Sequence, residues 1–233
     1  MASFVKESIE SSNHKCVGMY DPLGNGNYKD LKEIVNKIDG IIDFSHFSLT
    51  EEILKYAIEI NSPLVIATTG HTDEQKLKIE EASKKIAILK ATNTSLGVNI
   101  MNQIVSYATK LLADFDIELI EKHHNRKIDA PSGTAVTLLE VINESLSKKK
   151  NFVYGREGNK KREKNEIGVH AIRAGNIVGE HTVIFSSGDE IIEIKHEALS
   201  RKIFADGAVK AILSLTNKPS GLYLMKDILN INN

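Results

Sequence analysis

Residues 40–70 read GIIDFSHFSLTEEILKYAIEINSPLVIATTG, and the fold turns on this stretch. A short apolar run is followed by a segment whose apolar residues return at helical spacing. A second apolar run, LVIA, then shows no alternation at all. Strand, amphipathic helix and fully buried strand in that order predict a parallel β-α-β unit, because a strand covered on both faces has no polar side to show.

The same alternation extends outward on both sides. CVGMYD (16–21) and KIAILKATN (85–93) read as further strands, and YKDLKEIVNKI (28–38) and TDEQKLKIEEASKK (72–85) as further amphipathic helices. Thr72 with Gln75 makes a capping box that opens the last of these. The fold class predicted for this part is α/β, a Rossmann-like, doubly wound parallel sheet.

After Ser95 the pattern changes. A long helix, LGVNIMNQIVSYATKLLADF (96–115), leads to the strand DIELIEKHH (116–124) and a helix within DAPSGTAVTLLEVINESLSKKK (129–150). Strands IGVHAIRAG (167–175), EHTVIFSS (180–187) and EIIEIKHEA (190–198) follow, the last two flanking a hairpin turn at Ser187-Gly188-Asp189. Consecutive strands with short links predict an antiparallel or mixed sheet, hence a second, α+β domain. A helix from about Ser200 and the tail GLYLMKDILNI (221–231) close the chain. The expected division is residues 1–94 with 202–233 as one domain and 95–201 as the other.

Composition excludes several classes. The chain has 233 residues, 41% of them hydrophobic, and a formal net charge of -1, so a core is affordable and no field draws it to nucleic acid or an anionic membrane. The cluster Lys160, Lys161, Arg162, Lys164 is interleaved with Glu157, Glu163 and Glu166 and reads as a solvated loop. The lone Cys16 suits a reducing compartment, no apolar run reaches the length of a membrane span, and MASFVKESIESS lacks a signal-peptide core. The expectation is a cytoplasmic protein.

Candidate chemistry concentrates in EKHHNRKIDAPSGTA (121–135). If the strand continues, His123, Asn125 and Lys127 share a face and His124 turns away. A histidine exchanges its proton near neutrality, and an adjacent lysine holds an anion or supplies a second proton. Ser132, Gly133 and Thr134 then open a helix, where free backbone N–H groups seat a carboxylate or phosphate. N-capping by Ser132 alone, or a pair of surface histidines, accounts for the same residues without a ligand. A metal site on His123, His124, Glu121 and Asp129 is a rival that adjacent, oppositely directed histidines disfavour. In the first domain, Ala67, Thr68, Thr69 and Gly70 and then Ala91, Thr92, Asn93 and Thr94 end buried strands, where open α/β sheets take ligands. Asp21 stands either as a ribose partner or as a turn former before Pro22.

With these residues in view, EKHHNRKIDAPSGTA closely resembles the signature of the 4-hydroxy-tetrahydrodipicolinate reductase family, also called dihydrodipicolinate reductase. The likeness continues through YGREG, EIGVHAIRAGNIVGEHTVIF, HEALSRKIFADGAVKAILSL and GLYLMKDIL. It implies reduction of a small cyclic dicarboxylate to tetrahydrodipicolinate, with loss of water, by NADH or NADPH, in diaminopimelate and lysine biosynthesis. It also implies a dinucleotide-binding domain, a substrate domain that builds a homotetramer, and closure about a hinge. By position, His123 is implied as proton donor or acceptor and Lys127 as a second proton donor. His124, Ser132, Gly133 and Thr134 are implied in substrate binding, and Ala67–Thr69 and Ala91–Thr94 at the nicotinamide. Asp21 suggests that NADH is tolerated.

Departures are also expected. Ala67 stands where the family usually has Gly, and Thr94 where it usually has Phe. The family's opening strand and its G-x-x-G-x-x-G loop are not in this sequence, as if Met1 lay inside the helix that follows them. An active reductase is the main expectation. A truncated, non-catalytic substrate-binding or assembly subunit is the alternative, and a metal-dependent hydrolase a third.

Overall fold

Within Gly40–Gly70 the strand, helix and strand form as their spacing requires: β1 (Ile41–Asp43), α2 (Thr50–Glu59) and β2 (Leu64–Ile66), preceded in the chain by α1 (Ala2–Ser11). β1 and β2 pair in parallel. The computed structural model describes residues 1–228. These divide into two units, Met1–Leu96 with the described chain from Arg201 onward, and Gly97–Ser200. The end of the closing tail, residues 229–233, lies outside the described residues.

In the first unit, α3 (Asp73–Ser83) and β3 (Ala87–Lys90) continue the winding, and α6 (Lys202–Leu215), β9 (Gly221–Tyr223) and α7 (Met225–Ile228) complete it. The sheet is parallel throughout in the order β1-β2-β3-β9. Leu64, Ile66 and Ile88 face Ile53, Leu54 and Ala57 of α2 and Ile79 of α3, whereas Val65 and Leu89 face Ala208, Ala211 and Ile212 of α6. Helices thus cover both faces, which explains strands with no polar side. Thr72 accepts from Gln75 N while Gln75 accepts from Thr72 N, so the capping box forms as read.

Two elements expected from the sequence do not form. CVGMYD gives no strand, only an isolated bridge between Tyr20 and Tyr28, and YKDLKEIVNKI gives a single 3-10 turn at Leu31–Glu33. A strand exists only by pairing, and the described four-stranded sheet ends at β1 without offering 16–21 a neighbour. The helix that would pack beside that strand then has little to cover: Leu31 is buried, but Val35 is 90% exposed.

The second unit contains all but the first residue of α4 (Leu96–Leu111), then β4 (Asp116–His123), α5 (Gly133–Ser145), β5 (Asn151–Tyr154), β6 (Glu166–Arg173), β7 (Gly179–Ser186) and β8 (Ile191–Ala198). Its sheet is mixed, in the order β5-β6-β4-β7-β8, with β4 parallel to β6 and antiparallel to β7. The hairpin between β7 and β8 turns at Ser187, whose N–H donates to Glu190 O at 3.0 Å. Helices α4 and α5 pack on one face through Met101, Val105, Leu138, Leu139 and Ile142.

The basic cluster at 160–164 is not wholly a solvated loop. The Arg162 guanidinium reaches Glu118 Oε1 (3.0 Å), Asp116 Oδ1 (2.6 Å) and the carbonyls of Ile117 and Glu166, and so pins the loop to β4. An arginine with five donors can close such a cage where a lysine cannot.

Candidate active site

One face of the mixed sheet changes character along its length. On β4 the residues facing the helices run Ile117, Leu119, Glu121, His123. Their partners across the register are Phe185, Val183 and His181 on β7 and Ile167, Val169, Ala171 and Arg173 on β6. Directly paired residues share a face, so Glu121, His123, Arg173 and His181 form a polar end to a layer that is otherwise apolar. His196 of β8, paired with His181, extends it.

Glu121 is the centre of that layer. Its side chain has 0% exposure, and Oε2 lies 2.6 Å from His123 Nδ1 and 2.7 Å from Arg173 Nη1. Oε1 accepts from Arg173 Nη2 (2.7 Å) and from the Ser132 N–H (3.0 Å). Burial alone would raise this carboxyl, but the hydrogen bonds from His123 and Arg173, the neighbouring positive charge and the Ser132 N–H together hold it down at about 2. All four of its acceptor positions are occupied, which leaves none for a metal ion. Among the described residues no group of three or more His, Cys, Asp or Glu is placed to hold one.

Ser132 is the N-cap of α5: its Oγ accepts from Ala135 N at 3.2 Å and lies 2.8 Å from His181 Nε2. Burial, reinforced by the neighbouring His123, pushes the His181 pKa down to about 4. His181 is therefore neutral at pH 7, and its ring stands edge-on to that of His123 with centroids 5.2 Å apart. Ahead of α5 there is room. Gly133 is exposed, its φ lies outside the left-handed region, and a Cβ there would meet nothing within 4 Å. Thr134 is half-buried.

Lys127 does not continue the face of His123. β4 ends at His123, residues 125–126 form a turn, and the Lys127 N–H donates to His124 O at 3.1 Å. The extended reading of 123–127 fails because Asn125 N is drawn to Gly175 O instead (3.2 Å). Lys127 Nζ forks onto the exposed carboxylate of Asp129, at 2.7 and 2.8 Å. His124 is half-buried just past the strand end.

In the first unit the carboxyl ends of β2 and β3 carry the other predicted residues. Thr69, Gly70 and Thr92 are exposed, Ala67 and Asn93 half-buried, and Thr68, Ala91 and Thr94 buried. The two buried threonines shape the loops: Thr68 Oγ1 donates to Ser45 O (3.0 Å) and Thr94 Oγ1 to Phe204 O (2.6 Å). Asn93 Oδ1 accepts from Ser95 N at 2.9 Å. Asp21 accepts from Leu23 N and from Asn25 Nδ2, a turn-forming arrangement.

Sequence reading named Glu121 only as a possible metal ligand and did not single out Arg173 or His181. The signal was present. On β4, β6 and β7 the core-side alternation of apolar residues ends in a polar one, at Glu121, Arg173 and His181, and register brings the three together.

Comparison with known proteins follows the division of the chain. A family model described as "Dihydrodipicolinate reductase, N-terminus" matches residues 1–94, and one described as "Dihydrodipicolinate reductase, C-terminus" matches 97–229. A 4-hydroxy-tetrahydrodipicolinate reductase from Brachyspira hyodysenteriae is 47% identical over 98% of this chain and 95% of its own. That from Clostridium tetani is 50% identical over 82% of this chain and 76% of its own. Among solved structures, a dipicolinate-bound dihydrodipicolinate reductase from Paenisporosarcina sp. TG-14 shares the fold with a TM-score of 0.75 at 22% identity, covering 99% of this chain and 94% of that one.

Proposed function

We infer the chemistry of the site from one premise: the chain belongs to the 4-hydroxy-tetrahydrodipicolinate reductase family. It is an oxidoreductase of diaminopimelate and lysine biosynthesis, reducing 4-hydroxy-tetrahydrodipicolinate to tetrahydrodipicolinate with loss of water. A pyridine nucleotide, NADH or NADPH, supplies the hydride when bound. The loops at Ala67–Thr69 and Ala91–Thr94 suit it, because they close the carboxyl ends of parallel strands, where such sheets take nucleotides. Thr69 and Thr92 are exposed to meet it, while Thr68 and Thr94 hold the loops in shape.

His123 is read as the proton donor and Lys127 as carboxylate partner and second donor. A cyclic dicarboxylate has two anionic ends. One is met by the open start of α5 at Gly133, where backbone N–H groups point out of the helix and the macrodipole favours a negative charge. The other is met by Lys127, whose present partner Asp129 a substrate carboxylate would replace. His124 lines the same region. Asp21 is kept as a possible ribose partner only against its turn bonds, and NADH against NADPH is decided by titration with each. The single observation that carries this reading is a histidine anchored by a buried, ionised carboxylate beside a helix start with open space in front of it.

The expected division into a dinucleotide domain (1–94, 202–233) and a substrate domain (95–201) follows from the same assignment. The homotetramer is read onto the face of the mixed sheet that α4 and α5 leave bare. There Ile120, Ile172 and Ile184 alternate with Glu118, Lys122 and Glu180, and further copies of this chain are the occupants proposed, tested by sedimentation. No described helix is long and apolar enough to cross a membrane, and a cytoplasmic enzyme is the reading that also suits Cys16. The deciding experiment for the chemistry is His123→Gln: turnover is expected to fall by about 10²–10⁴-fold with cofactor affinity nearly unchanged. Turnover within a few-fold of the unaltered enzyme removes His123 from the reaction.

A further inference from the structure

We propose that Glu121 and Arg173 are positioning residues that fix which nitrogen of His123 exchanges its proton and hold it in register with the start of α5. The proposal rests on His123 being the proton donor, although its first test does not.

An ionised carboxylate can only accept hydrogen bonds. With Glu121 Oε2 at 2.6 Å, Nδ1 of His123 must carry a hydrogen in both protonation states of the ring. The proton that comes and goes is then the one on Nε2. That nitrogen lies along Gly179, where an added Cβ would stand 3.1 Å away, so a side chain at 179 would crowd the ring by a few tenths of an ångström.

Arg173 supplies the second half of the device. Its two terminal nitrogens take one oxygen each of Glu121, and Nη2 also donates to the carbonyl of Asp129 at 2.7 Å. The same carboxylate accepts the N–H of Ser132, the N-cap of α5. Strand β4 with the proton donor, strand β6 and the segment 129–132 that leads into the anion seat therefore meet on one carboxylate. Catalytic distances tolerate little error, and a single buried anchor shared by the donor and the seat sets their separation. His181, His196, Lys127 and Asp129 are the other titratable groups around the cluster, and Nδ1 of His123 is engaged by Glu121 instead.

The first test needs no substitution. In the full chain labelled with ¹⁵N-histidine, with His123 assigned by its loss in His123→Gln, the neutral ring is expected to be the Nδ1–H tautomer; an Nε2–H tautomer overturns the proposal. The second reads kinetics. Glu121→Gln is expected to lower kcat by about 10–1,000-fold, by analogy with other oriented histidines, and to raise KM for the dicarboxylate severalfold. Glu121→Asp should recover part of kcat. Arg173→Lys should not rescue the defect of Arg173→Met, because a single ammonium nitrogen cannot give each Glu121 oxygen its own nitrogen and also reach the Asp129 carbonyl. The double variant Glu121→Gln/Arg173→Met should be no slower than Glu121→Gln alone. A Glu121→Gln enzyme that melts earlier but keeps kcat within threefold shows a merely structural role and sinks the idea. If His123→Gln itself stays active, the reading of the reaction fails, while the tautomer still decides what Glu121 does.

Discussion

Gly133 is a glycine that the fold does not need, and replacing it with alanine separates binding from structure. The residue is the first of α5, its φ is one that any residue adopts, and its Cβ position is empty. By folding energetics alone, Gly133→Ala should stabilise, since a Gly→Ala change at a compatible backbone contributes about 0.4–1 kcal/mol through the unfolded chain. For a unit of this size that raises Tm by a few degrees. A helical Cβ leans toward the N-terminus, however, so the new methyl projects into the space where a carboxylate would approach the N–H groups at the helix start. Losing one or two charge-assisted hydrogen bonds, at about 1.5–3 kcal/mol each, raises KM by roughly 10–100-fold or more. The assay is thermal unfolding beside steady-state kinetics at saturating cofactor, with pyridine-2,6-dicarboxylate as competitor. An unchanged KM and inhibition constant in a stabilised variant would falsify the assignment of the α5 start as a carboxylate seat.

Three other outcomes are expected. Lys127→Ala should weaken pyridine-2,6-dicarboxylate more than pyridine-2-carboxylate, because only the former needs a second cation; equal losses in inhibition assays would show that Lys127 holds no carboxylate. Gly207→Ala should destabilise the first unit by about 1–3 kcal/mol and weaken NAD(P)H binding severalfold, because a Cβ on α6 would overlap the Thr94 carbonyl and push the 91–95 loop out of place; unaltered titration and melting curves would contradict this. Acidification should weaken the second unit in two windows, followed by urea unfolding at a series of pH values. The His181 pKa is depressed on folding, so its contribution is present above about 6.5 and is lost as pH falls toward about 4. Glu121 follows between about 4.5 and 2, a loss of about 3 kcal/mol for a fully buried carboxyl. His181→Gln should shrink the upper window, the remainder belonging to His196, whose pKa burial also lowers, and a pH-independent unfolding energy from 7 to 4 in the unaltered chain would refute the assignment.

What could be read from the sequence is what depends on neighbours along the chain. β1, α2 and β2 are encoded by period within Gly40–Gly70, and Thr72 with Gln75 announces α3 three residues ahead. The site string was legible for the same reason: His123, Ser132 and Gly133 lie within eleven residues. What failed depends on partners far away. Cys16–Asp21 has strand-like composition but no ladder to join, and β9, three residues long, is a strand only because Ala87–Leu89 lies beside it. β5 owes its existence likewise to pairing with β6. Arg173 and His181 are 52 and 60 residues from Glu121 and reach it through register, which period-two reasoning on one strand cannot supply. The face assigned to Lys127 was lost when Gly175 captured the backbone of Asn125.

The buried carboxylate gives the site its logic. Two charges taken out of water are held at a cost that their attraction seldom exceeds, and an apolar pair at 121 and 173 would continue the layer of Ile117, Leu119, Ile167 and Val169 without that penalty. Stability therefore does not account for Glu121 and Arg173. Proton transfer does, because it needs a donor whose tautomer cannot drift and neighbours whose charge does not change while it works. Glu121 stays ionised down to about pH 2, and His181 stays neutral down to about pH 4. Across the range in which an enzyme operates, Glu121 and His181 therefore keep their charge, and neither alters the field around His123 while it works. Disrupting the Glu121–Arg173 pair should therefore make the pH dependence of turnover broader and less regular as well as lowering its height, and a profile that keeps the unaltered shape at reduced height would argue that the pair serves packing alone.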